Sequence, residues 1–204
     1  LLQKTDESLQ ALRKSSAQTI QTLASITEKH DPYAAGHQRK TTELAVAIGR
    51  QMALDDERLE RIRISAALHD VGKIAIPGEI LSKPALLSPI EHDLAKLHVS
   101  EGVEILRAAD LPKSVVTAVL QHHERMDGSG YPLGLSGDRI CLEARILAVA
   151  DSMEAMLSHR PYRVALPVEK ALAEIWSMRG SAYDPEVVEA CTTVFRDQGF
   201  QFDT

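Results

Sequence analysis

Cysteine is scarce in this chain: Cys141 and Cys191 are the only two. Two such residues make neither a disulfide framework nor a cysteine-type zinc site. Each falls in an apolar helical context, so both read as reduced core thiols, which points to a cytoplasmic address. No apolar run approaches the ~18 residues needed to span a bilayer, so no transmembrane helix is expected. The opening LLQKTDES lacks a signal-peptide pattern and an initiating Met, and reads as the start of a piece cut from something longer. Positive charge is also in short supply. The net charge of −6 argues against a nucleic-acid polymer as partner. An anionic small molecule stays open, because local cations and metals override the global sign. Sustained period-two alternation, internal repeats and low-complexity stretches are all missing, which excludes a strand-based or solenoid architecture.

What remains is helical almost throughout, and 204 residues suffice for one sizeable core with a helical appendage. Leu2, Leu9, Ser16 and Leu23 recur every seven residues, with Thr5, Leu12, Thr19 and Ile26 three positions behind. That pattern predicts either a coiled coil or an amphipathic helix lying on the domain. Asp31-Pro32 ends it, since a residue before proline avoids the α region. ELAVAIGRQMAL and ERLERIRISAALHD read as the next two helices, the second with Leu59, Ile62, Ala66 and His69 on one face. Gly72 stands where a C-terminal cap is expected. Ser88-Pro89-Ile90-Glu91 is a capping box predicted to open a single helix through about Arg107. KSVVTAVLQHHE follows Pro112, GDRICLEARILAVADSMEAML is long and Ala-rich, VEKALAEIWSMRG stops at Gly180, and Asp184-Pro185 caps the last helix. The fold class is all-α.

Histidine and aspartate stand out against this background. His69-Asp70 closes one predicted helix, and His122-His123 closes another. An HD dipeptide alone is a weak signal, since a histidine beside its own helix end is common. The apolar stripes change the weighing. His69 continues Ile62 and Ala66, His122 continues Val115 and Val119, His98 follows Leu94 and Leu97, and Asp151 ends the apolar run ILAVAD. Inward carboxylates and imidazoles on four helices are costly unless something polar, such as metal ions, sits between them. Imidazole plus carboxylate suits a divalent ion, and one Asp can serve two ions at once.

HDVGKIAIP at 69–77 and HHERMDGSGYP at 122–132 closely resemble the two signatures of the HD-GYP phosphodiesterases. DPYAAGH at 31–37, LAVADSMEAMLSHRPYR at 147–163 and AYDP at 182–185 match that family in order and spacing. The resemblance spans about residue 28 to about residue 200. It implies an HD-domain helical bundle (29–204) behind an N-terminal helix (1–28), hydrolysing cyclic di-GMP to pGpG or GMP at a cluster of divalent metals. It makes His37, His69, Asp70, His98, His122, His123 and Asp151 the metal ligands, with Asp70 bridging. Lys73 is implied as a catalytic and phosphate-binding residue, the alternative being a solvent-facing loop lysine. Arg160 and Arg163 are implied as a phosphate or guanine clamp, the alternative being charged loop residues. Tyr131 and Pro132 would line the pocket, and Asp127 would orient a ligand histidine. Some family members hold a third metal with a glutamate at the position of Tyr33; a phenol is a poor ligand there, so two ions, iron or manganese, are expected. Glu154 would either support the site from behind or merely sit on its helix. His30, His92 and His159 match no ligand position.

Rival readings are a hydrolase for another nucleotide and a non-catalytic cyclic-dinucleotide sensor. The full two-metal ligand set favours turnover. The heptads suggest a homodimer through residues 1–28, and the family suggests an upstream receiver or sensor domain, or a diguanylate cyclase as partner.

Overall fold

A computed structural model describes residue 15 and residues 18–31, 35–159 and 164–202. Most of the heptad stretch, Tyr33, Arg160 and Arg163 therefore lie outside the described residues. Among those described there is no strand, only two isolated bridges, Asp127 to Ser136 and Arg179 to Tyr183. The all-α expectation holds. No described helix is long and apolar enough to cross a membrane.

Residues 18–30 form a helix whose Ile20 packs on the domain and whose Thr27 is buried, while Leu23 and Ile26 are exposed. It stops at Asp31, before the proline. Three helices and a short turn then carry the first half of the fold: α1 (His37–Gln51), α2 (Asp56–Leu68), a 3-10 turn at Val71–Ala75 and the four-residue α3 (Gly78–Leu81). α2 starts where it does because the Asp55 carboxylate accepts from Arg58 N at 2.8 Å. α4 (Pro89–Lys96) opens on the predicted capping box, Ser88 and Glu91 satisfying each other's backbone. The single helix expected from Ser88 to Arg107 is in fact two. Leu97 tightens the turn, its N–H reaching Leu94 O at 3.1 Å, and α5 (His98–Ala108) begins behind it. α6 (Lys113–Gln121), α7 (Leu142–Leu157), α8 (Val168–Ser177) and α9 (Pro185–Arg196) complete the bundle. Asp184 caps α9, accepting from Glu186 N at 2.8 Å.

Two apolar clusters hold these helices. The larger joins α1, α2, α7, α8 and α9 through residues such as Leu44, Ile62, Ile146, Met153, Leu172 and Val187. The smaller joins the end of α2 to α5 and α6 through Leu68, Val71, Val103, Leu106, Val116 and Val119. Truncating one of these, for instance Leu68→Ala, costs about 2–5 kcal/mol. Cys191 is fully buried, and burial pushes its thiol up to about 12; both cysteines are free.

Gly72 does not cap a helix. It lies inside the 3-10 turn, where an added Cβ would sit 2.0 Å from His98 O and 2.3 Å from Gly102 N. Only glycine lets the segment after His69-Asp70 press against α5. That contact brings the two histidine-bearing helix ends together.

Candidate metal centre

His37 is the first residue of α1, His69 and Asp70 follow the last turn of α2, and His98 opens α5. His122 and His123 follow α6, and Asp151 lies in α7. Seven side chains from these helices meet at one place. Asp70 stands at the middle: its Oδ2 is 3.6 Å from His37 Nε2 and 3.5 Å from His69 Nε2, and its Oδ1 is 3.6 Å from His98 Nε2. Asp151 Oδ1 lies 3.2 Å from His37 Nε2 and 3.8 Å from His69 Nε2. Two sets of ligand atoms are close enough to hold an ion each, His37–His69–Asp70 and His98–His122–His123. The rings of His98 and His123 are 5.2 Å apart, those of His122 and His123 4.0 Å.

Three of the rings are oriented by their own helices. His69 Nδ1 donates to Ala66 O at 2.8 Å, His98 Nδ1 to Ala95 O at 2.7 Å, and His122 Nδ1 to Val119 O at 2.6 Å. A carbonyl only accepts, so each Nδ1 carries the proton and each Nε2 lone pair faces the centre. Nε2 of His98 and of His122 is buried with no hydrogen-bond partner among the described residues. An unpaired acceptor in a buried site is expensive, and a metal ion is the partner that suits neutral imidazole. The donor set therefore fits divalent metal.

Electrostatics divide the site. Burial first, then the neighbouring imidazoles, push His122 well below its ordinary range. Burial also lowers His98, and takes His123 down to about 3. Burial works against the charge of His37 too, but hydrogen bonds to Asp151 and Glu154 outweigh it and raise His37 to about 9. Burial likewise opposes ionisation of Asp70, yet Lys73 and the surrounding histidines hold it well below the carboxylate range.

Other predicted residues fall as follows. Lys73 Nζ is 2.8 Å from Asp70 Oδ2 and 3.2 Å from Asp31 Oδ2, so it faces carboxylates, not open solvent. Tyr131 stacks on His123 with centroids 4.7 Å apart, and Lys96 Nζ lies 5.6 Å from the Tyr131 ring centre. Asp127 does not orient a histidine: it is exposed, and its Oδ1 accepts from Ser129 N at 2.9 Å. That task falls to backbone carbonyls and to Glu154, whose Oε2 is 2.5 Å from His37 Nδ1. Leu94 and Leu97 are 41% and 47% exposed, so they form no inward stripe with His98; the break at Leu97 turns His98 in by itself. His92 and His159 are exposed, and His30 Nε2 donates to Ile76 O at 2.9 Å.

Sequence reasoning missed Asp31, although its motif was in view, and Glu124. The buried Glu124 carboxylate accepts from Leu133 N at 2.7 Å and Leu135 N at 2.8 Å, pinning the glycine-rich loop beneath Tyr131. A Cβ on Gly130 would meet Glu124 Cα at 2.4 Å, so that loop needs glycine there. An acid directly after two inward histidines was the available signal.

With this geometry in hand, the chain belongs to the HD-domain family, whose model, described as an HD domain, matches residues 21–187. The narrower resemblance to the HD-GYP phosphodiesterases is borne out by its relatives. A cyclic di-GMP phosphodiesterase of Thermotoga maritima is 41% identical over 175 residues, 85% of this chain and 48% of that one. A cyclic di-GMP phosphodiesterase response regulator of Xanthomonas campestris is 40% identical over 185 residues, 90% of this chain and 49% of that one. A 3'3'-cGAMP-specific phosphodiesterase of Vibrio cholerae is 36% identical over 171 residues, 84% and 37% respectively. The chain thus spans about half the length, or less, of these curated relatives. An HDG"Y"P protein of Bdellovibrio bacteriovorus shares the fold at a TM-score of 0.66 and 19% identity, over 78% of this chain and 51% of its own.

Proposed function

We propose that this chain hydrolyses a phosphodiester bond of cyclic di-GMP at two divalent metal ions, giving pGpG or GMP. The observation that carries the reading is Asp70, which turns one oxygen toward each of two histidine sets. His37, His69, Asp70 and Asp151 would hold one ion; His98, His122, His123 and Asp70 the other. Nitrogen and oxygen donors without thiolate suit iron or manganese. Bound there, such ions supply Lewis acidity and a nucleophile at neutral pH.

The chain's own residues supply the rest. Lys73, held by Asp31 and Asp70, sets a cation beside the centre where a phosphate oxygen would enter. Tyr131 is half-buried and forms a wall against His123, on a loop that Glu124 keeps in place. Arg160 and Arg163, outside the described residues, keep the phosphate- or guanine-binding role that the resemblance implies.

The N-terminal helix is read as a dimer contact, supported by Leu23 and Ile26, which face away from the domain while Ile20 and Thr27 face it. An upstream receiver or sensor domain in a cytoplasmic protein fits the length of the relatives, one of them a response regulator. A second substrate reading, 3'3'-cGAMP, is favoured by the Vibrio cholerae relative.

The test loads the full chain with Mn²⁺ or Fe²⁺ and follows cyclic di-GMP and 3'3'-cGAMP separately by chromatography. Hydrolysis of cyclic di-GMP that vanishes in His69→Ala and Asp70→Ala is expected. Full activity in those variants sinks the mechanism, faster turnover of 3'3'-cGAMP moves the substrate, and tight binding without turnover makes the chain a sensor.

A further inference from the structure

We propose that Glu154 is a positioning residue for His37: its carboxylate fixes which ring nitrogen faces the metal, and thereby sets the affinity of that half of the centre. The inference rests on reading the centre as a metal site.

The reason lies in where each histidine sits on its helix. His69, His98 and His122 each follow a helical turn, so the carbonyl three residues back is at hand to take the Nδ1 proton. His37 is the first residue of α1, and the left-handed Gly36 before it supplies no side-chain cap. Its acceptor comes instead from 117 residues away, Glu154 Oε2 at 2.5 Å. The other oxygen, Oε1, accepts from the Ser158 hydroxyl at 2.5 Å, which restrains the carboxylate from its far side. Glu154 is 2% exposed, between Met153 and Met156 of the apolar α7 face. A buried carboxylate there is costly unless it is paired, and the hydrogen bond to His37 is one of the interactions that offset the cost. That bond leaves His37 Nε2 aimed at Asp151 and Asp70. An anionic acceptor behind an imidazole also makes it a stronger ligand than a carbonyl does. The two halves of the centre are therefore backed differently: His37 by a carboxylate and His69 by a carbonyl on one side, His98 and His122 by main-chain oxygen alone on the other.

The experiment strips the full chain of metal and titrates Zn²⁺ against a chromogenic chelator, resolving two binding steps. Glu154→Gln is expected to weaken one step by about 10–100-fold and leave the other unchanged. Ser158→Ala is expected to weaken the same step less. In the metal-free protein a strongly deshielded ring N–H proton, assigned to His37 by its loss in His37→Ala, should disappear in Glu154→Gln. Wild-type affinity in both steps, with or without a lower melting temperature, overturns the proposal. If Glu154→Gln does not fold, Glu154→Asp decides, because it keeps the charge and drops one methylene; an unchanged step there overturns it as well. A wild type that binds no Zn²⁺ removes the metal reading and this inference together. A wild type that binds two ions but hydrolyses no cyclic dinucleotide removes the proposed activity alone.

Discussion

The two halves of the centre use the same imidazole in opposite settings. Around His37 and His69 stand three carboxylates, Asp70, Asp151 and Glu154, with Lys73 offsetting part of their charge. On the other side, His98 meets His122 and His123 edge-on, those two rings are tilted at 41° to each other, and Asp70 Oδ1 lies 3.6 Å from His98 Nε2. Anionic oxygen favours a harder, more highly charged ion, and neutral nitrogen a borderline one. On the proposed reading, one fold thus builds two unlike sites that share Asp70. The lesson is that ligand identity alone does not describe a site; what stands behind each ligand matters as much.

The sharpest way to break this comparison is to remove what the halves share. Asp70→Asn takes an anionic oxygen from both sets and leaves Lys73 facing Asp31 alone. Metal content measured on the purified variant should fall for both ions together, and turnover should drop by about 10²–10³-fold, as for loss of a charge-stabilising group at a reacting centre. Retention of one full equivalent would mean that the halves are independent and that Asp70 belongs to only one.

A smaller effect is expected where the halves are pressed together. Gly72→Ala would drive a Cβ into His98 O and Gly102 N, backbone atoms that cannot swing aside. The clash should cost about 1–3 kcal/mol or more, and lower the melting temperature by about 2–4 °C for each kcal/mol in a chain of this size. Because His98 moves with α5, the imidazole half should lose metal affinity more than the carboxylate half. Zn²⁺ titration alongside thermal melts checks this, and equal weakening of both steps would put Gly72 outside the comparison.

Legibility follows the same division between local and distant causes. The stripes Ile62–Ala66–His69 and Val115–Val119–His122 could be read from spacing, because helix periodicity alone points those rings inward, and all six residues are buried. Asp151 was legible as an acid ending an apolar run. The stripe through Leu94 and Leu97 presupposes one straight helix, whereas the chain turns tightly at Leu97 and both leucines are exposed, so periodicity does not explain the burial of His98. Local sequence suggests a cap at Gly72, because the contact that demands glycine there, Gly102, lies thirty positions away. Glu154 stayed undecided for the same reason, since its partner is 117 residues distant. Periodicity shows which face is inward, but it does not show what waits there.

The mildest contrast, and the most diagnostic, lies in pH. Without metal, His37 is raised to about 9 and His123 lowered to about 3, so the halves titrate on opposite sides of neutrality. In the unfolded chain both lie near 6.5. For His37 the folded protein binds the extra proton, so its contribution to stability is full below about pH 6.5 and is lost as pH rises through about 9. For His123 the unfolded chain binds the extra proton, so its contribution is full above about pH 6.5 and fades as pH falls toward about 3. Metal binding must displace the His37 proton, whereas the three-imidazole set is already neutral. Between pH 6.5 and 9 the carboxylate half should therefore gain affinity by about tenfold per pH unit, releasing about one proton per ion, while the other half stays flat. Zn²⁺ titrations at four pH values in two buffers of different ionisation enthalpy measure both quantities. Parallel slopes for the two steps would show that the carboxylates do not hold a proton on His37, and the contrast between the halves would reduce to geometry.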